Sequence, residues 1–367
     1  MPARLPSLTG LRFWAALLVV LYHLARQVGG LPLVGPAVWY GRSGVTFFFV
    51  LSGTVLAWTY ADAPVPATRF YRRRLARVWP LHALATGLSL AVYAWIGTAL
   101  PLRAALCSLL LLHPWFRSLT MGGNPAGWSL GDEAWFYLLF PVLLPALTPR
   151  RLRPLGLLCL ALGPLLWVAG AAVADPALRS WLLDYLPLTR TPQFLLGMAA
   201  GLALRRGMLP RLPLGWTALA VAGWHLLLVP WSRAVPDPAW DGPYSASQLL
   251  SAPLFAALIA AAAQADLTVA RTGPSRTPWP ARPLLVRLGD WSFAWYLTHE
   301  IVVRCWLHAL GHPARGAAAL ACWLTLLAAT LALAAALHHY VERPCERRLR
   351  GPATALPRPL VPTRPAG

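Results

Sequence analysis

Apolar runs recur along the whole chain, broken by short stretches rich in arginine, proline and glycine. They fall at residues 11–28, 42–60, 78–97, 128–147, 155–174, 191–204, 214–232, 246–264, 288–308 and 316–337. Most approach the roughly 20 residues that a helix needs to cross about 30 Å of hydrocarbon. Only a helix satisfies its own backbone hydrogen bonds in a single span. The pattern therefore predicts an all-α polytopic membrane protein with about ten transmembrane helices. Residues 104–112 form a further apolar stretch, about nine residues long and too short to cross. It is expected to be re-entrant or interfacial. No internal repeat or soluble domain is visible, so residues 1–350 read as one membrane domain. The remaining "GPATALPRPLVPTRPAG", residues 351–367, reads as a Pro-rich disordered cytosolic tail. The first run follows Arg4 and Arg12, as in a signal peptide. It lacks a small-x-small cleavage site and is interrupted by a histidine, so it is expected to be a retained span.

Composition strengthens this picture. Of 367 residues 57% are hydrophobic and only 12% charged, about half the charged share of a soluble domain. The charge is lopsided, with 32 basic residues against 12 acidic and a net of +20. Every basic residue is arginine, which a GC-rich coding sequence accounts for; where the arginines sit needs another reason. With ten spans and a non-crossing 104–112 segment, 23 of the 32 fall on one side. The positive-inside rule makes that side cytosolic and puts both termini there, in a plasma-membrane protein. Trp39, Trp58, Trp79, Trp128, Trp231 and Trp291 lie at span ends, where amphipathic rings prefer the headgroup region. Nucleic acid is excluded as a partner, because the arginines are spread over loops instead of gathered on one soluble face. The five cysteines are scattered, and no CxxC or Cys/His spacing suggests zinc; no metal is expected. The chain carries no signal for an oligomeric state.

Candidate chemistry lies in the ionisable groups within spans, which are costly in lipid and usually face a cavity or a partner. In "LRFWAALLVVLYH" Arg12 and His23 are eleven residues apart. On a helix they differ by only about 20° in direction and stand about 16 Å apart along the axis. Arg12 also reads as a snorkelling anchor, and His23 as a packing histidine. In "RFYRRRLARVWP" Arg74 and Arg77 share a face at i, i+3 beside Arg73. Guanidinium forks suit phosphate, although such a cluster also fits a topogenic or lipid-binding loop. "WSLGDEAWFY" places Asp132 and Glu133 near the outer end of the fourth span, after Trp128 and Ser129. "GVTFFFVLSGTV" carries Ser52 and Gly53, which suggest close helix approach. "LGDWSFAWYLTHE" sets Ser292, Tyr296 and His299 at i, i+4 and i+7, a polar stripe that lines a cavity or a helix seam. Together these features suggest a path between the first, second, fourth and ninth helices, basic at its cytosolic mouth.

The ordered set of motifs resembles the acyltransferase 3 family of integral-membrane O-acyltransferases. "LPSLTGLRFWAALLVVLYHL" is similar to the family's opening segment with its Arg-x10-His motif at Arg12 and His23. "GVTFFFVLSG", "RRRLARVWP", "WSLGDEAWFYLLFP", "LGDWSFAWYLTHE" and "VERPCERRL" resemble its later signatures, and the matches run from about residue 5 to 348. Thr46 and Ala134 depart from the pattern, standing where many members have acids. Some members carry a fused esterase-like domain, and none is expected here, since the last matching motif is followed by only a short tail.

The resemblance implies an acyl donor, most often acetyl-CoA, and a hydroxyl acceptor on a carbohydrate, cell-envelope glycan or macrolide-type molecule. Arg12, Arg73, Arg74 and Arg77 are then expected to bind acyl-CoA. His23 would act as general base, with Glu133 the candidate to orient it. Ser52, Trp128, Ser129, Tyr296 and His299 are expected to line the cavity. No permanently bound cofactor is expected, and the partners are acyl-CoA, the acceptor and the bilayer. The competing reading is a proton-coupled transporter or flippase with His23, Glu133 and His299 as a relay.

Overall fold

The computed structural model describes residues 5–62, 66–234, 242–273 and 277–350. Arg4 and the 351–367 tail lie outside the described residues. Among the described residues every regular element is helical. Ten helices of 17 to 30 residues answer to the ten predicted spans. They are α1 (Pro6–Gln27), α2 (Gly44–Tyr60), α3 (Ala67–Ile96), α4 (Trp128–Ala146) and α5 (Pro149–Ala171), followed by α6 (Pro187–Arg205), α7 (Leu214–Ala234), α8 (Ala252–Thr272), α9 (Pro283–Leu310) and α10 (Ala317–Leu337). Proline opens α1, α5, α6 and α9, where its missing N–H costs nothing and its fixed φ suits the first turn. Gly97 ends α3 at φ 81°, a left-handed turn that glycine adopts without strain.

Seven of the ten, some with adjoining short helices, are long and apolar enough to cross a membrane. The other three are α4, α6 and α9. They carry Asp132 with Glu133, Arg190, and His299 with Glu300, all but Glu133 buried. Those buried groups face inward and not toward lipid, whereas Arg287 and Asp290 near the start of α9 are exposed. At the periphery, Leu157 and Leu165 on α5 and Leu219 and Leu226 on α7 are more than half exposed, as lipid-facing side chains are. Residues Leu102–Leu109 form a helix of eight residues, about 12 Å long and unable to cross. It lies against α3, whose Trp79 and His82 bond the Leu109 and Ser108 carbonyls at 3.2 and 2.8 Å. The chain therefore does not change sides there. α1 begins and the described chain ends at the arginine-rich end, where Arg72 donates to the Arg350 carbonyl at 3.4 Å.

The centre of the bundle depends on absent side chains. α2 and α6 touch backbone to backbone. A Cβ at Gly53 would lie 2.1 Å from the Phe194 carbonyl oxygen. One at Gly197 would lie 2.1 Å from that of Val50, and one at Gly201 2.4 Å from that of Thr54. Gly197 and Gly201 form a Gly-x-x-x-Gly spacing, the small-residue seam that lets helices close without a hydrophobic driving force. α1 meets α9 in the same way, with Gly289 against the Thr9 carbonyl. Gly197→Val is expected to lower stability by about 3 kcal/mol or more, because backbone cannot yield as a side chain does. Gly223→Ala, where nothing lies within 4 Å, is expected to be neutral. The thermal midpoint of detergent-purified protein measures both; an unchanged Gly197→Val midpoint would refute the seam.

Candidate active site

A cavity of about 430 Å³ opens between α1, α2, α3, α4 and α9. Each wall is one helical stripe. α3 supplies Arg74, Arg77 and Val78; α4 supplies Ser129, Glu133 and Tyr137 at i, i+4 and i+8. α2 contributes Phe48, Ser52 and Val55, and α9 Ser292 and Tyr296. Arg12 projects from α1 into the same space. Three guanidinium groups therefore face one cavity that is otherwise mainly apolar. Glu133 accepts hydrogen bonds from Ser52 Oγ at 3.1 Å and from the Tyr137 hydroxyl. The far end is closed by the Ser129 and Tyr296 hydroxyls, bonded at 2.8 Å.

His299 continues the α9 stripe one turn past Tyr296, and there α1 brings His23 to meet it. His299 Nε2 lies 3.0 Å from His23 Nδ1, and His23 Nε2 lies 2.6 Å from Glu300 Oε1. The protons can be assigned from the partners. His299 Nδ1 lies 2.8 Å from the Tyr296 carbonyl, which only accepts, so this nitrogen carries the hydrogen. The neutral ring then accepts at Nε2 from His23 Nδ1–H. One proton remains to be shared between His23 Nε2 and the Glu300 carboxyl. Arg304 holds the other carboxylate oxygen at 3.2 Å and also bonds the Tyr93 hydroxyl. His23 is thus gripped from both sides by groups on α9.

The cavity includes Arg12, Arg74, Arg77, Ser52, Ser129, Glu133 and Tyr296. Four residues expected at it lie elsewhere. Arg73 is turned about 100° from Arg74 on α3 and is half-buried outside the lining. Trp128, one residue before Ser129, faces Arg42 at 5.3 Å. His23 and His299 stand beyond the Tyr296 end. The carboxylate expected to orient His23 was Glu133, but that position is held by Glu300. Glu133 is engaged by Ser52 and Tyr137 two turns lower. A sequence signal for Glu300 existed: an acid in an apolar helix with Arg304 at i+4.

The sequence reading also missed a buried polar layer beside His23. Arg42 donates to the Tyr244 hydroxyl at 2.8 Å, lies 3.5 Å from Asp184 and stacks 4.4 Å from the Tyr185 ring. Tyr22, whose ring is 4.9 Å from that of His23, shares a 2.8 Å hydroxyl contact with Tyr244. Arg190, fully buried, donates to Thr46 and Gln248 at 3.1 and 3.2 Å. Buried Asp132 and Asp184 lie near enough to act on its charge.

Residues 5–339 match the family described as an acyltransferase domain. The chain belongs to this family. Its membership is supported over nearly full length by acyltransferase MdmB of Streptomyces mycarofaciens, 34% identical over 98% of this chain and 96% of that one. The exopolysaccharide production protein ExoZ of Rhizobium meliloti (strain 1021) is 30% identical over 90% of this chain and 96% of its own length. O-acetyltransferase OatA of Staphylococcus aureus (strain NCTC 8325 / PS 47) is 28% identical over 41% of this chain and 26% of its own. No solved structure matches. As an acyltransferase-domain protein the chain is a transferase of acyl groups other than aminoacyl groups, a membrane O-acyltransferase.

Proposed function

We propose that the protein transfers an acyl group, acetyl foremost, from acyl-CoA to a hydroxyl of a glycan, carbohydrate or macrolide-type acceptor. One observation carries the reading: a mainly apolar cavity has three arginines on its wall and ends one helical turn below the His23–Glu300 pair. The arginines suit the CoA phosphates, and the apolar channel suits the pantetheine arm that delivers the thioester. By the positive-inside rule the arginine-rich end, with both termini, faces the cytosol of a plasma-membrane protein, where acyl-CoA is found.

His23 then acts as the base. In the reactive form the proton shared by His23 Nε2 and Glu300 is absent, the acceptor hydroxyl enters between them, and Nε2 takes the hydroxyl proton as the oxygen attacks the thioester carbonyl. The C–S bond breaks, and the leaving thiolate takes that proton from the imidazolium. Glu300 stabilises the charged ring, and His299 fixes its orientation through Nδ1. The thioester must pass the Ser129–Tyr296 hydroxyl pair to reach His23, so Tyr296 moves aside during turnover. Release of CoA from acetyl-CoA by purified protein, dependent on an added hydroxyl acceptor, tests the reaction; no release with any acyl-CoA would refute it.

Glu300→Gln is expected to lower kcat about 10- to 100-fold, part of what general base catalysis contributes, with donor KM little changed. Glu133→Gln leaves the His23 contact intact and is expected to act mainly on donor KM. Steady-state kinetics with acetyl-CoA as the varied substrate separates the two. If Glu133→Gln lost more kcat than Glu300→Gln, the assignment of the orienting acid would be reversed.

A further inference from the structure

His23, His299 and Glu300 have a second property that base catalysis does not require. Among the described residues, they form a group of three side chains whose potential metal-ligand atoms all lie within 4.8 Å of one another. Two imidazoles and one carboxylate make a donor set that zinc uses with an open fourth position. Each ligand is also tied from behind. His299 Nδ1 lies 2.8 Å from the Tyr296 carbonyl, and His23 Nδ1 lies 3.2 Å from the Val19 carbonyl. Glu300 Oε2 is held by Arg304 at 3.2 Å. Outer contacts of this kind, from the second imidazole nitrogen to a carbonyl and to the spare carboxylate oxygen, fix ligands at metal sites. His23 Nε2 already faces Glu300 Oε1, while His299 Nε2 faces His23 Nδ1; to bind an ion, His299 Nε2 gives up that contact and the Val19 carbonyl keeps the His23 Nδ1 hydrogen.

We propose that this cluster is a binding site for a borderline divalent cation, Zn²⁺ above all. Zinc bonds of about 2.0–2.1 Å in a tetrahedral arrangement separate donors by about 3.3 Å. The 2.6 Å contact between His23 and Glu300 opens modestly to admit the ion, and the rings close from the His299 side. Mg²⁺ and Ca²⁺ prefer all-oxygen sites and are not accommodated. A bound ion takes the His23 lone pair, so zinc inhibits acyl transfer. That inhibition, though not the binding, rests on the catalytic assignment of His23. No sequence spacing signals such a site, because the two histidines are 276 positions apart.

The test uses the full chain, purified metal-free in detergent. Zn²⁺ is titrated against a chromophoric chelator, and Co²⁺ binding is followed by visible absorption. The expected results are one site per chain and a Co²⁺ spectrum of nitrogen and oxygen ligands. His299→Asn and Glu300→Gln should each weaken Zn²⁺ about 10- to 100-fold, with elution profile and thermal midpoint unchanged. Zn²⁺ affinity unaltered in both variants would overturn the proposal, as would thiolate-to-Co²⁺ charge transfer, which would move the ion to the cysteines. The wild-type spectrum decides the ligand class even if a variant fails to fold. A separate arm measures CoA release with and without Zn²⁺. Zinc bound through this cluster with turnover undiminished would leave the metal site standing and remove His23 from the chemistry.

Discussion

His23→Ala is expected to reduce acyl transfer about 10²- to 10⁴-fold, the range that a positioned general base contributes. The loss should fall on kcat. His23 lies beyond the cavity lined by Arg12, Arg74 and Arg77, so the donor keeps all its contacts and acetyl-CoA binding should remain near wild type. Alanine also leaves Glu300 beside Arg304 alone, which limits structural damage, because the carboxylate retains a partner. His23→Gln provides a second variant that fills the space without a basic nitrogen and should be equally inactive. The measurement is the rate of CoA release at saturating acetyl-CoA, with binding followed separately by calorimetry. Turnover at the wild-type rate in either variant would show that the base is elsewhere.

The second large effect is expected at the other end of the cavity. Arg74→Ala combined with Arg77→Ala removes two of three guanidinium groups from its wall. A charge-assisted hydrogen bond contributes about 1.5–3 kcal/mol, and water at the open mouth weakens each. A rise of about 10²-fold in the acetyl-CoA dissociation constant is therefore expected, with kcat at saturation much less affected. Arg73→Ala is the internal control. It carries the same charge from the same helix, but its side chain is outside the lining, so its effect should stay within a few-fold. Equal effects at Arg73 and at the Arg74/Arg77 pair would mean that the cluster acts through general surface charge. Unchanged affinity in the double variant would leave it only a topological role. Comparing CoA with dephospho-CoA would show which phosphate is read.

Much of the architecture was legible along the chain. Ten apolar runs became ten helices, because a bilayer leaves few other ways to satisfy the backbone. The 102–109 helix stayed short because it holds too few apolar residues to cross. Within single helices, direction was legible too. Arg74 and Arg77 share the cavity stripe of α3, and Ser292 and Tyr296 that of α9. Arg12 opens into the cavity, and His23, three turns on, meets α9. Less visible were residues read one position out of place, such as Trp128 beside Ser129. A single step along a helix turns a side chain by about 100°, enough to move it from the cavity to Arg42. The Gly197/Gly201 seam was present as a spacing and passed unread.

Local pattern therefore settled how many helices form, how long they are and which side chains share a face, since periodicity and backbone hydrogen bonding act within one segment. Which face meets which neighbour was decided only by packing. Glu133 and Glu300 are both acids in apolar helices; Arg304 at i+4 marks Glu300 as paired, but the local sequence does not say which one reaches His23. That depends on α1 lying against α9 at Gly289 and on α2 closing on α6 across glycines, contacts between segments that are distant in the chain. Rotation of each helix is set by those close approaches, and with it the identity of the carboxylate at the imidazole.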